Sequence, residues 1–154
     1  MTTALILAGV IGAFVTAAGL ARYRYAVVTV QGVSMKPALR EGDRLLVRRT
    51  PLHRVRSGQI VVVRRPVPTD RPIPLRHMDG EPERWVIKRA AALPGEPVPP
   101  KVKPVVGTDT HVPRDHLVVL GDNAAASVDS RTYGYLHGES LLGVVVRPLR
   151  QGVP

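Results

Sequence analysis

Apolar residues along the chain fall into short runs, some alternating and some continuous, each closed by glycine, proline or aspartate. That rhythm predicts strands rather than long helices. Strands are expected at Tyr25 to Val33, Arg44 to Arg48, Gln59 to Arg64, Arg84 to Ala91, His116 to Leu120 and Leu141 to Arg147. Glu41-Gly42-Asp43 and Arg56-Ser57-Gly58 supply turn chemistry between them. The central runs are apolar at nearly every position, which suits a small, coiled, partly closed sheet. The expected fold is mainly β, behind one N-terminal transmembrane helix.

That helix is the one long uninterrupted apolar stretch. Residues 4–21 carry no charge, and eighteen residues is near the lower limit for spanning a bilayer. Arg22-Tyr23-Arg24-Tyr25 follows with interfacial cations and aromatics. A cleavable signal peptide is the rival, since Gly19-Leu20-Ala21 places small residues where a cut would fall. The opening Met-Thr-Thr lacks the basic residues such a peptide begins with. Residues 1–24 are therefore read as an uncleaved single-pass anchor with its flank, and 25–154 as one domain. The basic flank alone would leave that domain in the cytoplasm.

Composition narrows the chemistry. With one Trp, one Phe and four Tyr, the core must be aliphatic, and valine dominates it. Fifteen prolines and fourteen glycines agree with many turns. Pro66 to Glu83 reads as an exposed connection, and a second proline-rich stretch runs from Pro94 to Pro113. The absence of cysteine removes disulfides, thiolate zinc sites and a cysteine nucleophile. A net charge of +10 suits a solvated basic surface, anionic lipid headgroups or nucleic acid. The arginines are scattered and have no aromatic platform beside them, so no nucleic-acid partner is expected.

Three stretches carry candidate chemistry. Ser34-Met35-Lys36-Pro37 ends the first strand at a bend, where a serine hydroxyl can project. Taken alone, such a serine is an ordinary turn former. Lys88, in Trp85-Val86-Ile87-Lys88-Arg89-Ala90, has the most apolar setting of any lysine here and shares a strand face with Val86 and Ala90. Burial would lower its pKa and make it a general base; the bland alternative is a stem that snorkels to water. The five histidines, at 53, 77, 111, 116 and 137, have no context that recommends one as a base. Gly121-Asp122-Asn123 with Ser127-Val128-Asp129-Ser130-Arg131 is dense in small polar residues, as in a backbone held by side-chain hydrogen bonds.

These boxes, in this order and with Leu93-Pro94-Gly95-Glu96 after the lysine, resemble the signature boxes of type I signal peptidases over about Val28 to Val146. The resemblance implies a membrane-anchored serine endopeptidase with a Ser-Lys dyad and no cofactor or metal. Ser34 would be the nucleophile and Lys88 the general base. Ser127 would hold the lysine amine, Asp129 and Arg131 would support that loop, and Asp122 would pair with Arg89. Met35 would line the pocket, and the Ser34 N–H would serve the oxyanion. Gly32 falls where some members carry a serine that adds a second oxyanion donor, so that donor is missing. The implied substrates are precursor proteins with N-terminal signal or leader peptides, cut after small residues of the Ala-x-Ala kind. The implied setting is the cell membrane, with the catalytic domain on the extracytoplasmic face, against the charge flanks.

Two departures stand out. Residues 89–120 leave no room for the large inserted β-domain of some members, and Ala124-Ala125-Ala126 replaces polar residues in the last box. The alternatives are a cytoplasm-facing protease dedicated to the propeptide of one partner, a self-cleaving regulator, and a catalytically inactive, basic, membrane-tethered β binding domain. No helix-turn-helix pattern precedes the core to support the regulator.

Overall fold

The computed structural model describes residue 19 and residues 22–66 and 85–149. Apart from Gly19, the expected anchor at 4–21 lies outside the described residues, as does most of the proline-rich connection, at 67–84. Among the described residues, no helix is long and apolar enough to cross a membrane.

Seven strands form one antiparallel sheet among the described residues. They are β1 (Tyr25–Thr29), β2 (Arg44–Arg49), β3 (Ile60–Arg64), β4 (Trp85–Ala92), β5 (His116–Leu120), β6 (Leu136–His137) and β7 (Leu141–Leu149). Their spatial order is β1-β2-β7-β3-β4-β5-β6. Register shifts at Leu46/Val47, Val62/Val63 and Ala90/Ala92 bend the sheet. The curl is strong enough that β1 and β4, with three strands between them in the sheet, line the same cleft.

The expected strands are present, β5 with the expected ends and the others with shifted ones. The largest correction is β1, which stops at Thr29 rather than Val33. Val30 makes one more rung through Val30 N–H to Asp43 C=O at 2.8 Å, and Gly32, at φ 79°, then turns the chain away. β7 runs two residues further than expected, to Leu149, paired along β2. The two-residue β6 was not anticipated, being too short to show a period.

The continuous apolar runs are explained by clusters on both faces of the sheet. Val61 and Val63 point into one cluster with Ala90, Leu117, Val119 and Val144. Val62, between them, points into a second with Val30, Met35, Leu45, Val47 and Ile87. All three valines are fully buried, each worth about 1.5–3 kcal/mol relative to exposure. The second proline-rich stretch is more than a connection: Val98, Val102 and Val112 pack on Ala92 and Val118 as a third cluster behind β4 and β5.

Candidate active site

Lys88 lies near the middle of β4, opposite Val61 in the register. The alternation of the strand turns its side chain to the face of Val86 and Ala90, and it is only 4% exposed. Its amine donates a hydrogen bond to Ser127 Oγ at 3.0 Å. Burial pushes this lysine below its ordinary pKa; the Asp129 carboxylate opposes the shift, and the Arg65 and Arg131 guanidiniums add to it.

The loop after β5 exists to hold that contact. Asp129 is fully buried and caps the helical turn Ser130–Tyr133. Its Oδ2 accepts from the Ser127 hydroxyl at 2.7 Å and from the Gly121 N–H at 2.8 Å. Its Oδ1 accepts from the Arg131 N–H at 3.1 Å and Nε at 2.9 Å, while Arg131 Nη2 reaches Oδ2 at 2.5 Å. Burial alone would raise this carboxyl; the Arg131 side chain, the Gly121 N–H, the Ser127 hydroxyl and the Arg131 N–H together hold it below the usual carboxylate range. It therefore stays ionised and acceptor-only. The single Ser127 proton is committed to it, so Ser127 can only accept from Lys88.

Ser34 is half-buried in the turn between β1 and β2. That turn is stapled to the same loop: Asn123 N–H donates to Ser34 C=O at 2.9 Å, and Asn123 Nδ2 to Val33 C=O at 3.2 Å. Ser34 and Lys88 both line a cleft of about 640 Å³ that runs between β1 and β4, walled by Val28, Val30, Met35 and Ile87. They also share a smaller adjoining hollow of about 240 Å³. The lysine hydrogen bond runs to Ser127, not to Ser34. Met35 is 2% exposed and joins the cleft to the second core cluster. Gly32 lines the smaller hollow, and its φ of 79° is one that a serine would adopt only with strain.

Arg89, the next residue along β4, points the other way. Its Nε and Nη2 bind the Asp122 carboxylate at 2.8 and 2.6 Å, and Nη1 donates to Gly58 C=O at 2.7 Å. All nine residues singled out from sequence thus fall in one region, around the end of β5. Reading the sequence assigned no role to Asn123 or Gly121. A Cβ on Gly121 would lie 2.1 Å from Ser127 Oγ and 2.8 Å from Ser34 C=O. Their only signal was their place in the stretch of turn formers, which names no contact. Among the described histidines, His53 and His137 line a separate hollow and His116 packs on His137, while His111 bonds Thr110.

The chain matches the family described as signal peptidase, peptidase S26, over residues 2–105 and 99–149. It belongs to that family. Among its relatives, it is 33% identical over 135 residues to the mitochondrial ATP-independent inner membrane protease subunit 1a of Arabidopsis thaliana, covering 80% of this chain and 72% of that protein. It is 31% identical over 111 residues to the mitochondrial inner membrane protease subunit 1 of Xenopus tropicalis, covering 70% of this chain and 59% of that protein. As a signal peptidase family member it is a hydrolase of the serine peptidase class that acts on precursor proteins.

Proposed function

We propose that the protein is a membrane-anchored endopeptidase that removes signal peptides or propeptides after small residues, with Ser34 as nucleophile and Lys88 as general base. The observation that carries this reading is the lysine: buried, bonded to a hydroxyl rather than a carboxylate, and lining one cleft with Ser34. Desolvation makes this lysine give up its proton more readily than a surface lysine does.

Among the described residues β1 is an edge strand of the sheet, and its main-chain groups would take an extended substrate as an added strand along the cleft. Aliphatic walls from Val28, Val30, Met35 and Ile87 leave shallow pockets that suit small side chains. Ser127 holds one amine hydrogen, so the lone pair of neutral Lys88 is left for the Ser34 proton. Ser34 Oγ then attacks the scissile carbonyl, its own N–H supports the oxyanion, and Lys88 returns the proton to the leaving amine. The amine next takes a proton from water, which cleaves the acyl-enzyme. The distance from amine to nucleophile shortens when substrate fills the cleft, as catalytic contacts often do. The anchor would be the uncharged stretch 4–21, with the domain on the extracytoplasmic side.

The test is cleavage of a peptide with an Ala-x-Ala site in detergent micelles, wild type against Ser34→Ala, across about pH 6–10. Activity that climbs on the alkaline side and vanishes in Ser34→Ala is expected. Equal turnover by the two proteins would remove Ser34 from the mechanism.

A further inference from the structure

Arg65 stands at the active cleft without a part in the chemistry above. It directly follows β3, is exposed, and lines the smaller hollow together with Gln31, Gly32, Ser34, Lys88 and Val128. The two hollows meet at Gln31, Ser34, Val86 and Lys88. The larger follows β1 and β4, so a peptide laid along β1 fills it with the residues before the scissile bond. Continuing past Ser34, the same peptide enters the smaller hollow with the residues that follow the cut.

The charges facing that hollow are unbalanced. Among the described residues, Arg65 and Lys88 line it and no carboxylate does. The nearest buried anion, Asp129, already accepts from Arg131, Ser127 and Gly121. Among the described residues, Arg65 has no hydrogen bond or ion pair with an acidic side chain, whereas Arg89 and Arg131 each have one. The rest of the wall is Ser34, one glutamine, and glycine, valine and alanine. A planar guanidinium is well suited to a carboxylate, which it can bind through two donors.

We propose that Arg65 selects precursors that carry a carboxylate side chain within the first two residues after the scissile bond. The inference rests on the reading of Ser34 as nucleophile, which sets where the cut falls. A substrate lysine at that place would instead meet the Arg65 guanidinium, a like charge. Because Arg65 is exposed, the preference is modest and weakens with salt.

The experiment uses the full chain in detergent micelles and three peptides with one Ala-x-Ala site, identical except for Glu, Gln or Lys directly after it. The readout is the ratio of kcat/KM between peptides within each enzyme, which cancels any general effect of a substitution. For wild type, Glu should be favoured over Lys by about three- to tenfold. Arg65→Gln should flatten the ratio, and Arg65→Glu should invert it. Cleavage with the same ratio in wild type and Arg65→Glu overturns the role of Arg65 and leaves the peptidase standing. No Ser34-dependent cleavage of any of the three peptides overturns the peptidase reading, and this inference falls with it.

Discussion

Two aspartate–arginine pairs brace the ends of one loop, and they do opposite work. Asp122 and Arg89 meet at 2.6 Å with side chains 19% and 36% exposed. Asp129 and Arg131 meet at 2.5 Å, with the aspartate fully buried. The outer pair ties the start of the loop to β4 and, through Gly58 C=O, to the turn before β3. The inner pair fixes the direction of one hydroxyl proton, that of Ser127, and through it the orientation of Lys88. The chemistry of the pairs is identical. What separates them is solvent, which screens the first and leaves the second as the fixed end of a chain of hydrogen bonds.

The sharpest way to break the comparison is Asp129→Ala. It strips five donors of their acceptor and leaves the Arg131 charge unpaired beside Lys88. Losing one partner of a buried pair costs about 3–5 kcal/mol, and urea unfolding should show a loss of that size, with peptidase activity down by at least about 100-fold. A loss below about 1 kcal/mol would place the inner pair with ordinary surface bridges. Gly121→Ala attacks the same chain from the backbone. The new methyl would overlap Ser127 Oγ, and since a hydroxyl tied to both Asp129 and Lys88 cannot move freely, a cost of about 1–3 kcal/mol is expected. Its activity should fall with that of Ser127→Ala; full activity in Gly121→Ala would show that the loop yields.

The inner and outer pairs also differ in how far they could be read from the chain. The strand runs, Lys88 turned inward and the crowded polar loop were legible, because period and composition carry them. The Arg89–Asp122 pairing followed from the family resemblance and is present. What could not be read were contacts that join segments far apart: Asn123 holding the Ser34 turn, Gly121 leaving room for Ser127, and Arg65 at the cleft. Each depends on how strongly the sheet curls, which three register shifts set and no local pattern announces. The early end of β1 has a similar origin, since a run of valines does not reveal that Gly32 will take a positive φ. The expected anchor lies outside the described residues, so the sheet neither supports nor opposes it.

Lys88→Met sharpens the contrast because its two effects have opposite sign. A buried lysine near neutral pH must either stay charged against desolvation or give up its proton. Methionine of similar length avoids both. Activity should disappear while stability at neutral pH rises by about 1–2 kcal/mol, a trade expected where function keeps an ill-placed group. The sign of the pH effect follows from the lowered pKa. Between the folded value and 10.5 the unfolded chain binds the proton and the folded protein does not, so wild-type stability climbs with pH through that window. The advantage of the methionine variant should therefore shrink as pH rises toward 10.5, seen as converging urea midpoints. A constant gap, or a less stable variant at neutral pH, would mean that the lysine sits at no electrostatic cost.

The smallest effect belongs to the outer pair, and its smallness is the point. In Asp122→Asn the amide oxygen can still accept one of the two Arg89 hydrogen bonds, and Arg89 keeps Gly58 C=O. Water reaches both side chains, so the lost charge is largely replaced by hydration. The expected loss is below about 1 kcal/mol, with kcat/KM within about threefold of wild type. That loss should shrink further on going from low to high salt, since an exposed pair is screened within about 10 Å at moderate ionic strength. The Asp129→Ala loss should stay nearly unchanged by the same salt, because no ion reaches its carboxylate. If both losses faded in parallel, burial would not be what sets the two pairs apart, and the hold of Asp129 on Ser127 would be no firmer than that of Asp122 on Arg89.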